Sequence, residues 1–289
     1  MLPLDDDHRA VADAAAAFAR RAAPVEATRA RFADHAAGAR PEFWPALLRQ
    51  GLHALHLPER YGGGGAGLAE LAVVVEQFGR HLLPGPYLPT VLASAVVASL
   101  PDRPPVGDLL AAFADGATGA LVTGGGLTAT PDGDGWIVDG ESAPVLGLPG
   151  ADLVIVRAGD ARRPVWFRLA TGPSATVRVD EGIDLTRSVG RLTLAAHRVG
   201  PDDVLPTPAP DLVDLLANAL YAAEASGLAA WCLDTAVEYV KVREQFGRPV
   251  GSFQAVQHKA ALLLVRAEIC CAGAWDAARA AAEPADQRR

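Results

Sequence analysis

From Leu212 to Val242 the chain runs without a proline and with few β-branched residues, and a similar run extends from Phe253 to about Ala282. Proline removes a backbone donor and clashes with the preceding turn, so both runs can be helical along their whole length. Between them stands Gly247-Arg-Pro-Val-Gly251, which reads as a short turn. The region from 208 to 289 is therefore expected to be a pair of long helices joined end to end in a hairpin.

Two further regions precede it. Residues 4 to about 100 carry helical signals. Asp5, Asp6 and Asp7 can cap and charge-stabilise a first helix, in which Val11, Ala15 and Phe18 recur at helical spacing and Pro24 falls near the end. Phe43 to Gln50 predicts a second helix. Leu68 to His81 predicts an amphipathic one, with Leu71, Val74, Val75 and Phe78 on one face. Another apolar helix is expected after Tyr87. From about 118 to 205 short β-like runs take over: 119–123, 135–139, 151–157, 165–169, 176–179 and 191–194, separated by Gly, Pro and Asp. Asp132-Gly-Asp-Gly135 is the strongest hairpin signal among them. The expected fold class is mainly α with a middle, compact antiparallel β-domain. The expected divisions are 1–115 (helical), 116–207 (β) and 208–289 (helical).

Composition limits the partners. Half of the 289 residues are hydrophobic and 21% are charged, as in a folded chain. The net charge of -8 is scattered along the sequence, which argues against nucleic acid or an anionic membrane as a partner. The N-terminus opens Leu4-Asp-Asp-Asp-His, acidic where a signal peptide is basic. The apolar stretch Leu88 to Leu100 is too short to span a bilayer and carries Pro89. Cys232, Cys270 and Cys271 lie in helical patterns without metal-ligand spacing, and are read as reduced, buried thiols of a cytoplasmic protein.

Four residues around the hairpin turn stand out: Arg243, Gln245, Phe246 and Gln254. A helix hairpin needs none of these types to fold. They either serve a ligand or partner chain, or merely cap and satisfy the backbone at the junction. Guanidinium pairs bidentately with phosphate, and a planar amide can bond ribose or phosphate oxygen. A second cluster, Pro58-Glu-Arg-Tyr-Gly-Gly-Gly-Gly-Ala-Gly67, lacks the Lys-Ser/Thr of a phosphate-binding loop and reads as a tight, positive-φ turn. His53, His56 and His258 have no third ligand at metal spacing and are read as packing or surface residues.

The stretch from Arg243 to Gln257 fits Arg-x-Gln-Phe-Gly-x-Pro-x-x-x-Phe-Gln-x-x-Gln without a gap. It resembles the signature of the acyl-CoA dehydrogenase family. The Leu57–Leu68 loop, with the following Val74-Val-Glu-Gln-Phe-Gly-Arg80, resembles the family's Pro-Glu-Glu-Tyr-Gly-Gly loop and next helix. Together with Leu83-Pro-Gly-Pro86, it is similar to the actinobacterial branch that often acts on sterol or other unusual acyl-CoAs. The resemblance implies a helical N-terminal domain, a middle β-domain and a C-terminal helical bundle, of which the first two of the usual four helices are present. It implies a short or C-terminally truncated member, with 282–289 as the polar loop before a third helix and with exposed apolar surface along Leu262 to Ala272. It also implies FAD as cofactor, an acyl-CoA substrate, and a homo- or hetero-oligomer with another acyl-CoA dehydrogenase chain. Arg243, Gln245, Phe246 and Gln254 would reach a neighbouring subunit's FAD, and Thr123 would line the flavin from the β-domain.

The chain departs from the family pattern in two places. Thr123-Gly-Gly-Gly-Leu-Thr128 keeps the Thr of the family's Thr-Glu-Pro-Gly-x-Gly-Ser-Asp segment but not its Glu or Pro, and Pro144-Val-Leu-Gly-Leu148 replaces a Trp-Ile-Thr-Asn-Gly motif. The base that removes the Cα proton is a Glu that most members carry beyond the region present here. Where others carry it, this chain has Ala217, next to Asn218. Asp214 and Glu224 are nearby carboxylates, and neither is assigned the role, so the catalytic residue is left unassigned. The implied function is FAD-dependent α,β-dehydrogenation of an acyl-CoA thioester. The alternatives are a non-catalytic subunit that completes a partner's FAD site, and a fold relic that binds acyl-CoA or a protein without redox chemistry.

Overall fold

The computed structural model describes residues 5–159, 163–170 and 172–282. Leu4 and the expected polar loop after Ala282 lie outside the described residues. The chain forms two compact units, one of residues 1–23, 67–83 and 214–289, the other of residues 24–66 and 84–213.

The larger unit opens with α2 (Val25–Ala30), α3 (Phe32–Ala36) and α4 (Trp44–Arg49), and α6 (Tyr87–Ala98) and α7 (Pro104–Ala114) follow later in the chain. Its strands are β1 (Gly119–Val122), β2 (Thr128–Asp132), β3 (Gly135–Glu141), β4 (Val145–Leu146) and β5 (Leu153–Ala158), then β6 (Val165–Arg168), β7 (Ala175–Asp180), β8 (Val189–Val199) and β9 (Val204–Leu205). They form two sheets, ordered β1-β5-β6-β9 and β2-β3-β8-β4, with β7 also paired to β8. The predicted Asp132–Gly135 hairpin joins β2 to β3 with Asp132 opposite Gly135 and Gly133 at φ 65°. One pair departs from the expected antiparallel pattern: β1 and β5 are parallel. The chain leaves β1 to build three strands of the other sheet before it returns, so no hairpin links the two.

Val122, Val156 and Phe167 from one sheet and Val138, Leu192 and Leu194 from the other share one buried core. The outer face of the first sheet is covered by α6 and α7, through Ala93, Val97, Leu109, Leu110 and Phe113 against Ile155 and Trp166. This position between neighbours explains why α6 is buried on nearly every side. It is 12 residues long, and no helix among the described residues is long and apolar enough to cross a membrane.

His53 and His56 belong to this unit. The His53 Nε2–H donates to the Ala114 carbonyl at 2.8 Å, and His56 Nε2 lies 2.9 Å from the Ser94 hydroxyl. Both Nδ1 atoms are buried without a hydrogen-bond partner. Burial, and then the neighbouring His53, push the His56 pKa down to about 3, and burial lowers that of His53.

The smaller unit consists of α1 (Asp6–Ala22), α5 (Leu68–Arg80), α8 (Leu212–Val242) and α9 (Gln254–Ala282), with the hairpin between the last two. Asp5 caps α1, its carboxylate accepting from the His8 amide at 2.8 Å. Phe18 of α1 packs on Phe78 of α5 with ring centroids 6.0 Å apart, and His8 meets Trp275 of α9 edge-on at 5.4 Å. The α5 and α8 backbones touch. A methyl at Gly227 would lie 1.9 Å from the Glu76 carbonyl oxygen, and one at Gly79 would lie 2.3 Å from that of Glu224. In this contact the Glu76 carboxylate accepts from the Ser226 hydroxyl at 2.7 Å and from the Cys271 thiol at 3.5 Å. Burial, and then the Glu76 charge, push the Cys271 pKa up to about 11. The three cysteines are free, but they are not buried as expected: Cys232 is exposed and Cys270 and Cys271 are half-buried, because α8 and α9 present much of their surface outward.

The close α5–α8 contact and the His56 ring each set a measurable stability. Gly227→Ala improves intrinsic helix propensity by about 1 kcal/mol but forces the two backbones apart, for a net loss of about 1–3 kcal/mol in urea unfolding. Gly273→Ala on α9 meets nothing within 4 Å and should gain a few tenths to about 1 kcal/mol. The second prediction concerns pH. His56 has its folded pKa below the unfolded value, so the unfolded chain binds the extra proton first. Its contribution to stability is complete above about pH 6.5 and is lost as pH falls from there toward about 3, at up to ~1.4 kcal/mol per pH unit. His56→Gln should flatten the urea-midpoint profile between about pH 6.5 and about pH 5 relative to the parent chain.

Candidate functional site

The last turn of α8 closes with the Arg243 amide on the Tyr239 carbonyl at 2.9 Å. The chain then reverses through two short strands, β10 (Glu244–Gln245) and β11 (Arg248–Pro249), with Glu244 opposite Pro249 and Gln245 opposite Arg248. The two-residue loop is Phe246-Gly247, and both residues have positive φ, 56° and 77°. Positive φ at both loop positions is the mark of a type I′ turn, whose right-handed twist matches the strands it joins. The Val250 amide closes the hairpin on the Arg243 carbonyl at 2.7 Å. Gly251 passes so near α8 that a methyl there would lie 2.9 Å from the Val240 carbonyl oxygen. Phe253 ends the turn, and its carbonyl accepts from the Val256 and Gln257 amides at the start of α9.

Arg243, Gln245, Phe246 and Gln254 thus stand on one short exposed junction. Phe246 is 92% exposed. An L-residue in the left-handed region costs about 1–2 kcal/mol, and burial returns almost nothing to this ring. Its contact is Phe253, ring centroids 6.1 Å apart at 86°, an edge-to-face pair contributing about 0.5–1.5 kcal/mol. The Arg248 guanidinium carbon lies 4.2 Å from the centroid of the Phe253 ring. Such a cation–π contact contributes about 0.5–1 kcal/mol at an exposed site. The sequence pattern singled out the four motif residues. The pattern contained Phe253 without assigning it a part, and Arg248 stands at one of its variable positions, so their contact carried no sequence signal.

Thr123 belongs to the other unit. It lies half-buried just past β1, and its carbonyl accepts from Arg157 Nη1 at 3.3 Å. The following glycines are bonded to the end of β3, with the Gly126 amide on the Glu141 carbonyl at 2.8 Å and the Ala143 amide on that of Gly124 at 3.0 Å. Gly125, at φ 113°, would place a methyl 2.3 Å from the Ala143 nitrogen, so only glycine fits. Pro144 is exposed and Leu146 half-buried. On α8, Asp214 and Asn218 are exposed, Ala217 is half-buried, and Glu224 is half-buried with its backbone against Gly79.

A chemically suitable group for the hairpin is anionic, carries ribose or phosphate oxygens and offers an aromatic face. The guanidinium, the two amides and the pre-set ring supply those complements. On the β-domain side, Thr123 is the residue expected to face flavin, and three glycines without side chains follow it.

Comparison with known proteins agrees with this fold. The family model for the acyl-CoA dehydrogenase N-terminal domain matches residues 5–100, and that for the C-terminal domain matches residues 217–289. Acyl-CoA dehydrogenase IpdE2 of Mycobacterium tuberculosis is 35% identical over 255 residues, covering 87% of this chain and 69% of that protein. Acyl-CoA dehydrogenase FadE34 of the same organism is 37% identical over 247 residues, 84% of this chain, which spans only 32% of FadE34. Among solved structures, the Tcur3481-Tcur3483 steroid ACAD superposes with a TM-score of 0.84 at 32% identity, covering 96% of this chain and 79% of that one. A glutaryl-coenzyme A dehydrogenase bound to glutaryl-CoA shares the fold at 21% identity, with a TM-score of 0.86 and coverage of 97% and 78%. The chain belongs to the acyl-CoA dehydrogenase family, whose members are FAD-dependent oxidoreductases acting on CH–CH bonds.

Proposed function

We propose that this protein takes part in FAD-dependent α,β-dehydrogenation of an acyl-CoA thioester, as one subunit of an oligomer with a second copy or another acyl-CoA dehydrogenase chain. The observation that carries the reading is the intact, exposed hairpin of Arg243, Gln245, Phe246 and Gln254 in a chain that belongs to this family. Bound FAD supplies the hydride acceptor. Arg243 would hold diphosphate oxygens, the Gln245 and Gln254 amides would bond phosphate or ribose oxygens, and Phe246 would offer its exposed face to the dinucleotide. Thr123 offers its hydroxyl from the β-domain. The proton acceptor is not assigned: Ala217 carries no ionisable group, Asp214 is exposed, and Glu224 sits at the contact with α5.

The likeness to a protein described as a steroid ACAD supports a sterol-derived or fatty acyl-CoA as substrate. Exposed apolar side chains along both long helices, among them Trp231, Leu262, Val265 and Ile269, support the oligomer. The division at 1–115, 116–207 and 208–289 and a cytoplasmic location, supported by three free thiols, complete the proposal. Membership of a family of dehydrogenases favours this reading over a non-catalytic subunit.

The test is to purify the protein alone and co-expressed with a full-length acyl-CoA dehydrogenase, and to measure flavin absorbance and acyl-CoA-dependent dye reduction. A yellow oligomer that reduces dye is the expected result. Arg243→Ala should weaken FAD binding at least about tenfold, seen as flavin lost on dilution and dialysis, since a charge-assisted phosphate contact is worth roughly 1.5–3 kcal/mol. Unchanged flavin content in that variant would remove the hairpin from the cofactor site.

A further inference from the structure

We propose that Phe253 and Arg248 are positioning residues, which fix Phe246 and Gln245 for contact with FAD. The inference rests on the reading that the hairpin meets flavin, and adds to it the device that keeps the hairpin in shape.

Three observations lead there. First, Phe246 occupies a loop position where Gly, Asn and Asp are the unstrained choices, yet its ring is 92% exposed. Intramolecular burial does not account for a bulky aromatic at that place. Secondly, the ring has one aromatic neighbour to set its direction, Phe253, which lies across the turn and meets it at 86°. Phe253 is half-buried immediately before α9, and its carbonyl accepts the Val256 and Gln257 amides of that helix, which ties the neighbour's backbone to the helix start. Thirdly, Arg248 lays its guanidinium on Phe253 and is the cross-strand partner of Gln245. Holding Arg248 against the ring therefore also holds the register of the strand that carries Gln245.

The arrangement separates the two hairpin arginines by task. Both side chains are exposed, but the Arg248 charge lies against an aromatic ring, whereas Arg243, at the end of α8, is paired through its backbone alone among the bonds described. Arg243 is the phosphate ligand, and Arg248 acts through Phe253. A residue that works through another should lose its effect once the other is gone. A merely structural residue should not.

The experiment is a double-mutant cycle on the flavin-bearing oligomer, read as the FAD dissociation constant by fluorescence titration of the deflavinated protein, with thermal melting as a check on folding. Phe253→Leu should weaken FAD binding about tenfold and Arg248→Met about threefold, while Phe253→Tyr restores the parent affinity. Phe246→Ala combined with Phe253→Leu should be no weaker than Phe246→Ala alone. Additive effects, or an unchanged dissociation constant in Phe253→Leu where Phe246→Ala weakens binding, would overturn the positioning role and leave the flavin contact standing. If neither Arg243→Ala nor Phe246→Ala changes the dissociation constant, the flavin reading itself falls, and this inference with it. Arg248→Met, on the exposed strand, keeps the test open should Phe253→Leu fail to fold.

Discussion

Glu76 lies where α5, α8 and α9 come together, and the smaller unit is organised around it. Gly227 lets the α8 backbone rest on the carbonyl of Glu76, and Gly79 does the same for α5 against Glu224. That approach brings Ser226 to the Glu76 carboxylate at 2.7 Å, while Cys271 reaches it from α9. A single half-buried carboxylate thus ties both long helices to α5, and Arg80 adds an ion pair to Asp234 further along α8. Helices joined only by a short turn would otherwise be free to splay. With their middles fixed, the turn at their end has a defined place from which to present side chains.

The β-domain answers a different constraint. Its two sheets share a core, and the first is covered by α6 and α7, so its geometry is secured by burial on both faces. The segment after β1 is held too, but by backbone: Gly124 and Gly126 bond the end of β3, and Gly125 fits only because it has no Cβ. The three glycines contribute main chain there and no side chain. The hairpin, by contrast, exposes an arginine, two glutamines and an aromatic ring.

The long helices were legible because nothing in their sequence interrupts them, and the Asp132–Gly135 turn because its residue types are demanded by its backbone. The helices α2, α3 and α7 were not, since two are shorter than two turns and the third opens on Pro104-Pro105. The parallel β1–β5 pair was hidden for another reason: pairing across some thirty residues of intervening strands leaves no local mark. Exposure of Cys232 was likewise unreadable, because an apolar helix discloses its composition and not what stands beside it. At the site, the spacing of Arg243, Gln245, Phe246 and Gln254 was plain. The stack of Phe246, Phe253 and Arg248 was not, since Phe-Gly is not a typical type I′ sequence and the contact depends on that turn.

That mismatch between residue and turn is the most telling feature of the hairpin. The left-handed φ at Phe246 costs about 1–2 kcal/mol, and the edge-to-face pair with Phe253 returns roughly 0.5–1.5 kcal/mol. Within the chain the two nearly cancel, so folding gains little from an aromatic where glycine would be free of strain. With the balance near zero in isolation, the chain's own folding does not account for an aromatic at this position. Strain, exposure and a fixed ring direction are what a pre-organised contact requires, because a group already held in its bound conformation loses little entropy on binding.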